Sequence, residues 1–336
     1  MYLIRKERTV PLIILILEAL LRRIPPDHPK VPQIQVELAK RKKGYRGELS
    51  LNFYLDLIDS PQILILHDIR LSDGKNFFQI DTLVITPHFI LILEVKNIAG
   101  TLYFEDESNQ MIRTLNNEDE GMSNPILQAR RHSHQFKNWL IQRKLPLLPI
   151  EHLVIISDPK TIIKASRPSI FTKVIHNANL QFTFEKFENR HTKETLTMKE
   201  MKKIAGIIEK HHTTKQPNVL AQFSIPQTEI RNGVHCPRCF TLPIERKRGY
   251  WYCENCCTKS QNAFIQAIQD YSLLIKPTFT NEELRDFFQV PSSQFIYRLL
   301  KSMNLEYVGE NKGRMYSLPR FHYLHTTPLT LSPSQP

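Results

Sequence analysis

Residues 79–97 read QIDTLVITPHFILILEVKN, and this stretch constrains the fold more than any other. Two apolar runs, LVIT and FILIL, have the length and composition of buried strands. Strands of that kind need other elements packed over them, which points to a layered domain. Yet ionisable residues close each run: Asp81 stands just before LVIT, and Glu94 and Lys96 just after ILIL. Desolvating an unpaired charge is expensive, so charges placed there are either paired with one another or bound to a cation.

The flanking sequence supplies the other layers. GELSLNFYLDLI reads as a helix begun near Gly47, and QILILHDIR and HLVIIS read as further strands. A helix follows SNPILQAR, and another covers roughly 197–211, giving a mixed α/β domain over 41–212. With 336 residues there is room for further domains. Residues 1–40 are read as a helical arm broken at PPDHPKVP, and 213–232, with Pro217 and Pro226, as a linker. A cysteine cluster occupies 233–260, a compact helical and strand segment 261–319, and a Pro/Ser/Thr-rich tail, expected to be disordered, 320–336.

Within the arm, VPLIILILEALLRR is too short to span a bilayer and is interrupted by Glu18. Arg5, Lys6 and Arg8 precede it, but no small-residue cleavage site follows. Leu12, Leu15, Ile16, Ala19 and Leu20 recur at helical spacing, which predicts a helix docking on the main domain. The expectation is a cytoplasmic protein with no membrane partner.

The formal net charge of +12 and pI of about 9.4 make a polyanion the natural partner. Basic residues gather at 40–46 (KRKKGYR) and at Arg246, Lys247 and Arg248. A charge run alone is usually a solvated face, so its neighbours decide its meaning. All the cysteines fall within 236–257. Cys236-x2-Cys239 and Cys253-x2-Cys256 form two hooks that can present four thiolates tetrahedrally to one Zn2+. Disulfides would require an oxidising compartment, and buried free thiols do not account for two hooks at this separation. Phe240 and Cys257 stand where zinc knuckles favour glycine, and Cys257 competes with Cys256 as a ligand. Between the hooks, the basic tip and Tyr250, Trp251 and Tyr252 suit phosphate contact and base stacking; the same aromatics also suit the small core of a ribbon.

Residues 280–318 have a grammar of their own. Thr280 caps a helix with Leu284, Phe287 and Phe288 inward, and Ser292 caps a second with Phe295, Ile296, Leu299, Leu300 and Met303 inward. LEYVG and RMYSL then flank a turn at Asn311–Gly313. This resembles a winged helix-turn-helix. The resemblance implies that Arg298 and Lys301 face a DNA groove, with Lys312 and Arg314 on the wing. Winged helices also serve as protein–protein modules, so both partners stay open.

Three separated motifs carry a second resemblance: GYRGE at 44–48, QIDTLVITPHFILILEVKNIAG at 79–100 and SNPILQARRHSHQF at 123–136. In this order they look like the nuclease-related domain, NERD, over about 41–160. That family is grouped with nucleases of the restriction-endonuclease-like, PD-(D/E)xK fold and often carries appended zinc-ribbon or other DNA-binding modules. The resemblance implies an α/β PD-(D/E)xK core with an appended zinc ribbon and winged helix, acting on DNA. It also places Gln128 near the site.

The chemistry stands beside the resemblance. Phosphodiester hydrolysis needs a divalent ion, and hard oxygen ligands suit Mg2+ or Mn2+. Asp81 and Glu94 at neighbouring strand positions can grip one ion, with Glu48 adding an oxygen. Lys96, two residues beyond Glu94, falls on the same strand face, where its ammonium can orient water or meet developing charge. His132, four residues after Gln128, shares its helix face, but a lone histidine there is more often structural. The competing reading is an ion-pair network that merely finishes a sheet. Two functions follow: a divalent-metal nuclease delivered to DNA by its appended modules, or a non-catalytic DNA-binding protein with a structural or degenerate nuclease fold. A zinc hydrolase does not fit, because a four-cysteine site leaves no open coordination position.

Overall fold

The computed structural model describes residues 3–60 and 62–318; the side chain of Lys312 and the tail at 320–336 lie outside the described residues. In chain order the elements begin with β1 (Leu3–Lys6), α1 (Leu12–Arg23), α2 (Val31–Asp56), β2 (Leu64–Ser72), β3 (Phe77–Ile85) and β4 (Ile90–Lys96). Next come β5 (Thr101–Glu105), β6 (Gln110–Leu115), β7 (Glu118–Met122), α3 (Pro125–Gln142), β8 (Ile150–Ile156), β9 (Ile162–Ala165) and β10 (Val174–His176). Then follow α4 (Leu180–Arg190), α5 (Met198–His211), α6 (Val219–Phe223), β11 (Glu245–Lys247), β12 (Tyr250–Tyr252) and β13 (Lys259–Ser260). The last are α7 (Ala263–Leu274), β14 (Thr278–Phe279), α8 (Asn281–Phe288), α9 (Ser293–Ser302), β15 (Glu306–Val308) and β16 (Met315–Ser317).

Two compact units divide the chain. The first joins the residues up to Thr9 with Lys42–Lys215; the second joins Val10–Arg41 with the residues from Gln216 on.

The first unit is mixed α/β. Its main sheet runs β1-β2-β3-β4-β8-β10, in which β2, β3 and β4 pair antiparallel and β4, β8 and β10 pair parallel. The expected buried strands are covered on both faces. Ile90 and Ile92 pack with Phe136, Trp139 and Leu140 of α3 and with Ile204 and Ile208 of α5. Leu91, Leu93 and Val95, one residue out of phase, pack with Leu51 and Leu55 of α2 and with Phe184 and Phe187 of α4. That alternation between two dry faces explains why the strands read as continuous apolar runs. A smaller sheet, β7-β6-β5-β9, adds a satellite core around Leu102, Phe104 and Met111.

Local chemistry sets the helices that matter. Asn124 caps α3 by accepting from the Ile126 amide at 2.9 Å, and Pro125 occupies the first turn, where its missing N–H costs nothing. Thr197 and Glu200 form a reciprocal capping box on α5. Helix α2 does not begin near Gly47 as its sequence suggests but at Val31, running through Gly44 and Gly47. Gly47 is there for space. A Cβ on it would stand 2.5 Å from Ser157 Oγ and 2.6 Å from Asn97 Cβ, so only glycine lets α2 approach the ends of β4 and β8.

The second unit corrects two expectations. Helix α1, expected to dock on the main domain, belongs instead to the second unit and packs against α7, with Leu17, Ala19 and Leu20 fully buried. The stretch 213–232, read as linker, carries α6 and buries Val219, Ile225 and Ile230 in the same core. An ion network ties these parts. Arg23, fully buried, donates through Nε to Asp270 at 2.8 Å and through Nη1 to the Gly233 carbonyl at 2.7 Å. The strands β11, β12 and β13 form one small sheet and β14, β16 and β15 another. Trp251 is buried edge-on against Phe288 and Phe295, so this aromatic belongs to the core. Among the described residues, no helix is long and apolar enough to cross a membrane.

Candidate functional site

Strand register brings the central acids together. The last registered pair of β3 and β4 at this end is Thr82↔Leu93, so the next step sets Asp81 opposite Glu94. The period of two then puts Lys96 on the Glu94 side, and its Nζ donates to Glu94 Oε1 at 2.7 Å. Helix α3 comes over the same carboxylate: Gln128 Nε2 donates to Glu94 Oε1 at 2.6 Å, and its own Oε1 accepts from Lys96 at 3.1 Å. One turn along, His132 Nδ1 stands 3.5 Å from Glu94 Oε2, an ion-pair distance without hydrogen-bond geometry. Glu94 Oε2 is thus a buried carboxylate oxygen with no donor in hydrogen-bond geometry and only this long contact to His132, on a residue only 2% exposed. Such an atom is costly unless something else meets it.

Asp81 takes a single backbone donor, the Val95 amide at 2.9 Å. Burial, reinforced by the charges of Glu94 and Glu48, pushes its carboxyl well above the usual carboxylate range. Glu94 behaves oppositely. Burial would raise it, but His132 and Lys96 outweigh burial and hold it below its ordinary value. Glu48, on α2, is raised to about 7 by burial and then by the charge of Asp68. The three acids therefore feel one another.

Sequence reasoning did not find the residue that holds Glu48. Arg8, whose side chain is 1% exposed, donates through Nη1 to Glu48 Oε2 at 2.7 Å and to Asp68 Oδ1 at 3.2 Å. Its Nη2 donates to Thr82 Oγ1 at 2.7 Å and meets His67 Nδ1 at 3.0 Å. Read along the chain, Arg8 is one of three cations flanking an apolar run, and nothing in that pattern marks it as buried.

In the second unit, the sulfur atoms of Cys236, Cys239, Cys253 and Cys256 all lie within 4.8 Å of one another. The Cys236–Cys256 and Cys239–Cys253 sulfur pairs stand 3.5 and 3.4 Å apart. Among the described residues, no other group of three or more His, Cys, Asp or Glu donors converges so closely. Each hook is closed by a threonine two residues on: the Cys236 amide donates to the Thr241 carbonyl and the Cys253 amide to that of Thr258. Thr241 and Thr258 also place hydroxyls 3.1 and 3.2 Å from the sulfurs of Cys239 and Cys256. The repeat Cys-x2-Cys-x-Thr was the available signal for them. Cys257 is exposed and outside the cluster, which resolves its competition with Cys256. It and Phe240 have φ of 55° and 59°, the left-handed backbone for which knuckles favour glycine.

The predicted nucleic-acid contacts are placed unevenly. Arg246 is half-buried, its guanidinium 4.4 Å from the Phe295 ring centre and donating to the Tyr250 carbonyl, so it packs the ribbon rather than extending from it. Lys247 pairs with Glu245, and Arg248 is exposed at the turn. Arg298 and Lys301 lie exposed on α9, whereas Arg314 stacks over Tyr307 at 4.2 Å. The side chain of Lys312 lies outside the described residues.

No solved structure matches the chain. Over 182 residues the chain is 24% identical to an uncharacterized protein of Bacillus anthracis, a span of 53% of this chain and 78% of that protein. Residues 43–157 match the family model of the nuclease-related domain, and they include Glu48, Asp81, Glu94, Lys96 and Gln128.

Proposed function

We propose that the first unit is a restriction-endonuclease-like, PD-(D/E)xK nuclease core that hydrolyses phosphodiester bonds of DNA with a divalent ion, Mg2+ or Mn2+. The observation that carries the reading is the meeting of Asp81, Glu94, Lys96 and Gln128 at one strand end, where the buried Glu94 Oε2 has only His132 Nδ1 near it, at 3.5 Å. The donor set fits the ion: hard carboxylate oxygens from Asp81 and Glu94, with Glu48 assisting, whose mutual repulsion a cation would relieve. When bound, such an ion polarises the phosphate and supplies hydroxide at neutral pH. Lys96 is the protein's own cation there, positioned to meet charge developing on the phosphate. Gln128 holds the Glu94 carboxylate in place.

The second unit supplies the delivery modules in this reading. The four cysteines hold a structural Zn2+ in a closed site, which needs the reduced thiols of a cytoplasmic protein. The helices α8 and α9 with the β14-β16-β15 sheet form a winged helix-turn-helix that offers Arg298 and Lys301 to DNA.

One observation favours a second reading, a non-catalytic DNA-binding protein with a structural nuclease fold. Glu94 Oε1, Lys96 and Gln128 satisfy one another, as a network that finishes a sheet would. Incubating purified protein with labelled duplex and single-stranded DNA in Mg2+, Mn2+ or chelator separates the two. Metal-dependent cleavage lost in Asp81→Ala, Glu94→Ala and Lys96→Ala supports the nuclease; DNA binding with no cleavage under any divalent ion supports the alternative.

A further inference from the structure

The sheet register extends the acid row by one strand. Pairs of β2 and β3 run from Leu64↔Ile85 to His67↔Thr82 and resume at Ile69↔Ile80, so the skipped step sets Asp68 opposite Asp81. Asp68, Asp81 and Glu94 therefore stand in one row across three adjacent strands. At this step the backbone gives way: Asp68 has φ of 52°, a left-handed conformation inside a strand. The in–out alternation of β2 reverses across it. Leu64 and Leu66 before the kink share a core with Ile69 and Leu71 after it. The register is the same on both sides, so no residue is inserted; the left-handed residue only turns the side chains after it to the other face.

What Asp68 is aimed at is Arg8. The guanidinium bridges Asp68 and Glu48 with one nitrogen and is anchored by Thr82 and His67 with the other. Its fork is thus tied to residues of β2 and β3 and presents a fixed partner to Glu48 on α2. A lysine, a single point charge, cannot make both pairs of contacts.

We infer that Arg8 and Asp68 are positioning residues of the candidate active site: together they set the rotamer with which Glu48 faces the row of Asp81 and Glu94. The inference rests on the metal-dependent reading of that site and names residues outside its acid–acid–lysine set. A purely structural Arg8, tying the edge strand β1 into the sheet, would make a different prediction.

The test uses the full chain and Mn2+ as the probe, with affinity read from the paramagnetic signal of free Mn2+ and folding from circular dichroism melts. Arg8→Met and Asp68→Asn should each weaken Mn2+ binding about tenfold or more, as loss of a partner that orients a metal ligand does. Arg8→Lys should recover part of the loss. In a Glu48→Gln background, Arg8→Met should cost nothing further, because both changes remove the same oriented carboxylate. Asp68→Asn keeps volume and carries the test if Arg8→Met does not fold. Folded Arg8 and Asp68 variants with wild-type Mn2+ affinity, or losses that add fully to Glu48→Gln, would overturn the positioning role while leaving the nuclease reading intact. Wild-type protein that neither binds Mn2+ nor cuts DNA would overturn the nuclease reading, and this inference with it.

Discussion

The four-cysteine cluster and the acid row both gather anionic donors, and they are assembled on opposite plans. The cysteines come from two hooks of one short segment, each closed by its own threonine, and their sulfurs converge to within 4.8 Å. The acids come from a helix and three strands, and each already has a protein partner: Arg8 for Glu48 and Asp68, the Val95 amide for Asp81, and Lys96 and Gln128 for Glu94. A local motif carries its geometry in its spacing. A distributed one depends on register, on the alternation of strand faces and on the glycine that lets α2 come close. The first kind is a folding device, and removing its ion should remove structure. The second stands on a core that folds for other reasons, so altering it should change chemistry far more than fold.

Loss of zinc should have the greatest consequence, and it separates the two plans most widely. Protein purified without added metal should contain about one zinc per chain by elemental analysis. Cys236→Ser or Cys253→Ser should abolish it and unfold the ribbon, since such sites supply on the order of 10 kcal/mol of folding free energy. The central acids should tolerate their own substitutions with little loss of helix by circular dichroism.

A smaller effect tests what a buried ion pair built for structure looks like. Arg23 and Asp270 are both fully buried, and Arg22 adds a second cation at 2.7 Å from Asp270 Oδ1. Asp270→Ala leaves both arginines without that partner and should cost about 3–5 kcal/mol in a denaturant titration of the full chain. Had this pair been functional rather than structural, the loss would appear in DNA affinity with stability unchanged.

Smaller still is the pH dependence of the acid site. Glu48 is raised to about 7, chiefly by burial and the charge of Asp68. Between its ordinary value and that raised one, the folded state holds a proton that the unfolded chain has already released. The contribution is fully present below about pH 4.5 and is lost as pH rises toward 7, with a slope of at most about 1.4 kcal/mol for each pH unit crossed. In buffers without divalent ions the melting temperature should fall across that window, and Glu48→Gln should lessen the fall, leaving the part that the raised Asp81 carboxyl contributes. A flat wild-type profile would show that Arg8 fully offsets the other acids.

How much of this was legible along the chain follows the same division. The hooks, the two capped helices at Thr280 and Ser292, and the apolar strands announced themselves through spacing, caps and alternation. Glu94 and Lys96 could be named because the strand period turns sequence distance into a shared face, whereas Gln128 was reached only through the resemblance of SNPILQARRHSHQF to the nuclease-related domain. Arg8 and Asp68 could not. Arg8 sits in a run of cations whose ordinary place is water, and its burial depends on β1 pairing in parallel with β2 some sixty residues away. Asp68 is aimed by a backbone reversal that no residue type demands. The docking of α1 on α7 was hidden for a related reason: an apolar helical stripe says that a face is buried but not against what.

Asp81 and Glu94 are either kept apart from a cation or kept for one, and thermal melting of wild type and Asp81→Asn, each in chelator and in excess Mn2+, separates the two. If they are kept for a cation, Mn2+ at about one hundred times its dissociation constant should stabilise wild type by about 2.7 kcal/mol. Asp81→Asn should then melt at or above wild type in chelator, because a repelling carboxylate is gone, and gain little from Mn2+. Wild type indifferent to Mn2+, together with an Asp81→Asn variant that melts lower in chelator, would make the acid row a structural network instead.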